Sequence, residues 1–152
     1  MIGIWGTRQP KRRFFFAFLV AYLFLVIVST IVNRQTNNDF RYNFIPFWTY
    51  GVIVKGGWKA RLLIQEVLLN VLMLLPVGVV IPDLLTTKKI VKTVLVGFSI
   101  SIAIEMLQLV LRRGLLEIDD VIHNTLGCFM GCLLNIAYHK MKLYIQCKTD
   151  NK

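Results

Sequence analysis

Cysteine and histidine are scarce in this chain of 152 residues, which has three Cys and two His. Cys128 and Cys132 lie inside an apolar run and Cys147 lies in a basic tail, so they do not form the framework of a disulfide-stapled domain. No set of His and Cys residues has the spacing of a zinc site. The sequence therefore predicts no metal site, and Cys128 and Cys132 are expected to be small packing residues.

Acidic residues are also few, with eight Asp and Glu against 18 Lys and Arg and a net charge of +10. In a soluble chain such a charge would suggest nucleic acid as a partner. Here the basic residues stand between apolar runs, where they orient a membrane protein. Apolar residues make up 56% of the chain and the mean hydropathy is +0.62, which indicates an integral membrane protein without a nucleic-acid partner.

Catalytic and cofactor motifs are missing from the sequence. No Ser or Cys stands in a nucleophile elbow, and there is neither a P-loop nor a dinucleotide-binding fingerprint. No cofactor is expected, and the available acids could at best perform general acid/base work. Internal repeats are missing too, so we treat residues 1–152 as one domain.

Long apolar runs are the main feature that is present, at about residues 14–32, 62–85, 90–111 and 121–138. Each is long enough to cross the hydrocarbon core as a helix. The first follows a basic segment, as in a signal peptide, but it is too long and lacks a small-x-small cleavage site, so we expect a retained anchor. The sequence predicts an all-α, four-helix transmembrane bundle.

The only long connection covers residues 33–61 and becomes rich in aromatic residues after a polar start. Aromatic side chains beside a membrane span favour the headgroup region. Pro46 and the pair Gly56-Gly57 argue against one continuous helix there. Pro76 should kink the second span or free a carbonyl group in it.

The distribution of basic residues predicts the orientation. With four crossings, the end that carries both termini and the turn at residues 86–89 holds most of the 18 Lys and Arg. The positive-inside rule therefore places both termini in the cytoplasm, although the long loop is itself basic.

Polar residues in the apolar runs form stripes. Ser101, Glu105 and Gln108 share one face of the third span, at spacings of i, i+4 and i+7. A second stripe on the fourth span consists of Asp120, Asn124, Gly127 and Gly131. Acids in a membrane span are costly and are functional candidates by default.

The threading of the chain brings the polar residues of three spans to one end of the bundle. Glu66 and Asn70 lie early in the second span. Glu105 and Gln108 lie late in the third span, and Asp119 and Asp120 begin the fourth. With both termini inside, this end is the outer leaflet, where Arg41 and Asn43 also lie. The candidate binding residues are Asn43, Asn70, Glu105, Gln108, Arg112, Asp119, Asp120 and Asn124, and the candidate catalytic residues are Glu105, Asp119 and Asp120.

Each candidate also has a structural interpretation. Glu105 and Gln108 could simply hydrogen-bond to neighbouring helices. One of Asp119 and Asp120 is explained as an N-terminal cap of the fourth span, whereas the second remains to be explained. The acids could instead bind Mg²⁺ or Ca²⁺, but no metal-loop spacing supports this.

Other residues of this region have simpler expected roles. Arg112 and Arg113 could hold a phosphate or serve as headgroup anchors. His123 is expected to be interfacial. Gly127 and Gly131 form a GxxxG motif, which predicts close helix packing.

The motifs, taken in order, resemble the VanZ-like family over about residues 41–135. They are Asn43-Phe44-Ile45-Pro46-Phe47, then Asn70 with Leu75-Pro76-Val77-Gly78, Gly97 with Ser101, Glu105 and Gln108, and Asp119-Asp120 with Asn124, Gly127 and Gly131. The family comprises small multi-helix membrane proteins of bacteria and is named after an accessory teicoplanin-resistance protein. The resemblance implies a bacterial cell-membrane protein that lowers susceptibility to teicoplanin, and it carries over no catalytic residues.

Three kinds of function follow as hypotheses. The chain could bind an amphiphile at the outer surface, such as a lipoglycopeptide or a lipid-linked cell-wall precursor, and limit the access of the drug. It could be a membrane enzyme that uses the acids on such a lipid-linked substrate. It could be a structural accessory that docks onto another membrane protein through Gly127 and Gly131. Membrane lipids are expected partners in every case, and the sequence does not give the oligomeric state.

Overall fold

The computed structural model describes residues 8–32, 36, 38–87 and 89–150. It contains five helices, of which four are long and apolar enough to cross a membrane. The helices are α1 (Arg8–Val32), α2 (Trp48–Lys55), α3 (Trp58–Leu84), α4 (Lys89–Val110) and α5 (Ile118–Asp150). Two short strands, β1 (Tyr42–Asn43) and β2 (Leu116–Glu117), complete the fold. The predicted all-α bundle with four spans is confirmed.

Two helices extend beyond the predicted spans. α3 begins at Trp58 instead of residue 62, and α5 runs from Ile118 to Asp150 instead of ending near residue 138. Helical hydrogen bonds do not require apolar side chains, so the helices continue into polar sequence where hydropathy no longer marks them. Arg34, Lys88 and Lys152, on which part of the orientation argument rests, lie outside the described residues, and the orientation stays a prediction.

The helices α3 and α5 form the centre of the bundle, and α4 packs beside them. Leu74, Val77 and Cys128 are fully buried between these helices, and Leu19 of α1 packs onto the same core. The Tyr22 hydroxyl of α1 donates a hydrogen bond to the Met73 carbonyl at 2.8 Å. Because lipid tails are as apolar as these side chains, close packing and such hydrogen bonds hold the helices together.

Two prolines lie inside α3 without ending it, Pro76 and Pro82. The helix is continuous through both residues, although neither can donate the usual backbone hydrogen bond. In a membrane protein such residues are tolerated where neighbouring helices surround them. Pro82 is buried in this way.

The long loop is fastened to the connection between α4 and α5. β1 pairs in parallel with β2, with Tyr42 opposite Leu116 and Asn43 opposite Glu117. The Leu116 N–H also donates to the Arg41 carbonyl at 3.0 Å. After this contact α2 lies between Pro46 and Gly56. The loop is thus not one continuous helix, as Pro46 and Gly56-Gly57 predicted. The aromatic loop, which we define as residues 40–50, therefore lies at the end of the bundle where α5 begins.

Candidate functional site

Polar side chains from α3, α4 and α5 are buried together at this end of the bundle. Each is at most 8% exposed. We name this group the polar cluster, and it consists of Asn70, Ser101, Glu105, Gln108, Glu117, Asp119, Asp120, His123 and Asn124. Glu117 belongs to β2 and the other members lie on α3, α4 and α5. Five of them are the polar members of the two stripes in the sequence, namely Ser101, Glu105, Gln108, Asp120 and Asn124.

Two hydrogen bonds of the polar cluster connect α4 to α5 and to the strand before it. The Glu117 N–H donates to Glu105 Oε2 at 3.3 Å. About two turns further along the chain, in α5, Asn124 Nδ2 donates to Ser101 Oγ at 2.9 Å. The carboxylate of Glu105 thus holds the beginning of α5 against α4.

A third hydrogen bond connects α3 to α5. Asn70 Nδ2 donates to Asp120 Oδ1 at 2.5 Å, and both side chains are buried. Asp120 therefore fixes the depth of α3 relative to α5.

Asp119 caps a helix other than its own. Its Oδ1 accepts the Phe47 N–H at 2.6 Å and its Oδ2 accepts the Thr49 N–H at 3.2 Å. The expectation that one of the two aspartates caps α5 is thus incorrect for Asp119, because this carboxylate satisfies the free N–H groups at the start of α2.

This cap also explains the backbone of Phe47, whose φ of 62° lies in the left-handed region. That conformation costs a residue with a Cβ about 1–2 kcal/mol. Two hydrogen bonds to the buried Asp119 side chain offset the cost, since an intramolecular hydrogen bond contributes about 0.5–1.5 kcal/mol. Asp119 therefore both caps α2 and fixes the turn that leads into it.

His123 gives the aromatic loop a second attachment. Its Nε2 lies 2.7 Å from the Tyr50 hydroxyl, and the two rings meet edge to face with centroids 5.7 Å apart. The His123 side chain is buried within the protein, at 2% exposure. The side chain of Tyr50, which belongs to the aromatic loop, packs against the His123 ring.

Two predicted binding residues lie outside the polar cluster. The Asn43 side chain accepts the Ile45 N–H at 3.1 Å in a local turn. Arg112 is exposed, donates to the Asn38 carbonyl at 3.2 Å and lies 4.7 Å from the centre of the Phe40 ring. The structure therefore brings together Asn70, Glu105, Gln108, Asp119, Asp120 and Asn124 but not these two.

The cluster can support the fold more readily than it can perform catalysis. The three candidate catalytic acids, Glu105, Asp119 and Asp120, are 1–3% exposed and accept hydrogen bonds from other segments. A substrate would have to displace those donors to reach them. In the described part of the chain, no group of three or more His, Cys, Asp or Glu side chains could hold a metal ion.

Three buried polar atoms of the polar cluster retain unused hydrogen-bonding capacity. Gln108 Oε1, His123 Nδ1 and Asn124 Oδ1 have no partner among the described residues. An unpaired buried group costs about 1–3 kcal/mol, so such atoms are uncommon in structural networks. They are the atoms of the cluster that could accept or donate a further hydrogen bond.

Comparison with known proteins identifies the family. The VanZ/LLP1 family matches residues 14–139, a range that includes the aromatic loop, the polar cluster and both glycines of the GxxxG motif. The chain belongs to the VanZ/LLP1 family. No curated protein and no solved structure matches it.

In this VanZ/LLP1 protein the glycines of α5 lie against the backbone of α3. A Cβ at Gly127 would meet the Val71 carbonyl oxygen at 1.9 Å, and one at Gly131 would meet the Leu75 carbonyl oxygen at 2.1 Å. The glycines therefore pack inside the bundle. The hypothesis that they dock onto another membrane protein is incorrect, because that surface is already occupied by α3.

Sequence analysis missed several contributors to the site. Glu117 was not assigned a role, and His123 was not placed among the candidate site residues. The contact of His123 with the Tyr50 hydroxyl and the contacts of Asp119 with the Phe47 and Thr49 amides were not expected. Tyr50 stands among many aromatic residues, and backbone amides leave no trace in a side-chain pattern. The signal that could have been used is the group of three acids at the start of a helix, which is more than capping requires. These acids are Glu117, Asp119 and Asp120.

Proposed function

We propose that this VanZ/LLP1 protein lowers susceptibility to glycopeptide antibiotics of the teicoplanin type by limiting drug binding at the outer cell surface. The aromatic loop is the contact surface in this proposal, and the polar cluster is its anchor. The observation that carries it is the pair of hydrogen bonds from Phe47 and Thr49 to Asp119, because they hold an exposed aromatic segment at one fixed place.

The exposure of the loop supports a role in contact. Phe44 is 60% exposed and Ile45 is 67% exposed, whereas the acids beneath them are almost fully buried. Aromatic and aliphatic side chains at the membrane surface suit an amphiphile with an acyl chain. Teicoplanin carries an acyl tail and vancomycin does not, so this surface would act on the former drug.

The predicted orientation is part of the proposal. With both termini in the cytoplasm, the loop and the cluster would face the outside, where glycopeptides act. Because the polar cluster is buried, we assign its acids a different role from the one first expected. In this proposal they support the aromatic loop instead of contacting the ligand. No contact or distance in the described residues favours the enzyme hypothesis over this one.

The test replaces the exposed apolar side chains of the loop without touching its anchors. In susceptible cells that express the protein, the double variant Phe44→Ser/Ile45→Ser should restore the binding of labelled teicoplanin to the level of cells without the protein. Losing two apolar contacts of about 1.5 kcal/mol or more each would weaken an interaction over a hundredfold. Vancomycin binding should be the same in all strains.

Leu143→Ser is the matched control, since Leu143 is also exposed, at 62%, but lies near the other end of α5. It should leave teicoplanin protection intact. If the loop variant protects as well as the unchanged protein at an equal protein level, the loop is not the contact surface and the proposal is wrong.

A further inference from the structure

A second surface feature lies where α2 meets α3, apart from the polar cluster. It is a shallow, open cleft of about 630 Å³ lined by Gly57, Trp58, Arg61, Leu62 and Gln65. Four of these residues have the spacing i, i+3, i+4 and i+7 and therefore form one face of α3. Along this face, apolar and hydrogen-bonding side chains alternate, which is the pattern that an amphiphile requires.

The charge of the cleft has one sign. Arg61 lines it, and Lys55 and Lys59 flank it in the sequence, all with exposed side chains. No acidic residue is among its lining residues. The side chains of Arg61 and Gln65 take part in no hydrogen bond or ion pair within the described ranges. Their donors are available to an anion.

The cleft lies at the beginning of the candidate membrane span of α3, which starts at Trp58. Arg61 precedes Asn70 of the polar cluster by nine residues, which is about 14 Å along a helix. The cleft thus lies further towards the end of the span than the buried cluster does. Trp58, which is 70% exposed at the start of the span, is of the type that settles at the membrane interface.

From these features we propose that the cleft binds the phosphate of an anionic membrane phospholipid. Arg61 and Gln65 donate hydrogen bonds to the phosphate oxygens, and Lys55 and Lys59 add attraction. Trp58 and Leu62 pack against the upper part of the acyl chains. A guanidinium group suits a phosphate because its donors form a planar fork. This site is independent of the aromatic loop and of any effect on antibiotics.

The experiment compares two chemically identical substitutions. The purified full chain is incubated with phosphatidylglycerol or phosphatidylcholine in detergent, and the bound lipids are counted by native mass spectrometry. Arg61→Gln should lower phosphatidylglycerol binding about fivefold, which corresponds to about 1 kcal/mol for one basic residue at a membrane surface. Arg41→Gln removes another exposed charge, which lies outside the cleft. This variant should lower phosphatidylglycerol binding less than twofold.

Three outcomes would overturn the proposal. Equal losses in both variants would mean a general surface potential instead of a site. Equal binding of phosphatidylcholine would mean that charge does not matter. Binding of soluble glycerol 3-phosphate as tightly as the lipid would exclude a membrane lipid as the preferred occupant. Unchanged helical circular dichroism in both variants shows that folding does not cause the difference.

Discussion

Gly127→Ala is expected to destabilise the protein by about 3 kcal/mol or more, at the upper end of the cost of overpacking. The added Cβ would lie 1.9 Å from the Val71 carbonyl oxygen. That oxygen belongs to the backbone of α3, so it cannot relieve the clash by a change of rotamer, as a flexible side chain could. The helices α3 and α5 must move apart, which breaks the packing at the centre of the bundle. Thermal unfolding in detergent should show a midpoint lower by about 6–12 °C.

Gly51→Ala provides the matched control, because Gly51 also lies inside a helix but a Cβ there meets nothing within 4 Å. Alanine favours a helix over glycine by about 1 kcal/mol, so this variant should be unchanged or slightly more stable. Gly127→Ala should thus lower the unfolding midpoint, whereas Gly51→Ala should not. Equal midpoints for both variants would contradict the close contact of α3 and α5.

Asp119→Ala is expected to release the aromatic loop from the bundle. The variant leaves the Phe47 and Thr49 N–H groups without their acceptor and removes the support for the left-handed turn at Phe47. Each buried donor left unpaired costs about 1–3 kcal/mol. Hydrogen exchange followed by mass spectrometry should show peptides from residues 44–55 exchanging at least about tenfold faster, since about 1.4 kcal/mol corresponds to a factor of ten.

Two further variants make this result specific. Asp119→Asn keeps one acceptor oxygen and should give an intermediate exchange rate. Asp39→Ala removes an exposed acid directly before the aromatic loop and should leave the exchange of residues 44–55 unchanged. If Asp39→Ala speeds exchange as much as Asp119→Ala does, the loop is held by general charge instead of by the cap.

The sequence is sufficient to predict the membrane helices and the common depth of the polar residues. Long apolar runs define the spans, and the spacing of Glu105, Gln108, Asp120 and Asn124 assigns them to facing stripes. This works because helical periodicity converts residue number directly into direction and depth. The limits of the helices are harder to predict, since α5 continues through Lys140 and beyond into sequence that hydropathy does not mark.

The partners of the cluster could not be predicted from the sequence. Asp119 contacts backbone amides about 70 positions earlier in the chain, and any residue type offers the same N–H group. The pairing depends on the short β1–β2 contact, whose two residues per strand are too few for a recognisable pattern. Arg112 and Asn43 were assigned to the site by charge and motif, but Asn43 contacts Ile45 and Arg112 contacts Asn38 and Phe40.

The account depends on the attachment of the aromatic loop to the beginning of α5, and an engineered disulfide measures it directly. In a chain with Cys147→Ser, the pair Tyr42→Cys/Leu116→Cys joins residues that lie opposite each other in β1 and β2. Paired positions in a sheet bring the Cα atoms within the range of about 4.4–6.8 Å that a disulfide spans. Mild oxidation should link the two tryptic fragments in most molecules, whereas the pair Tyr42→Cys/Met141→Cys should remain unlinked. No link in the first pair, or equal linking in both, would contradict the attachment.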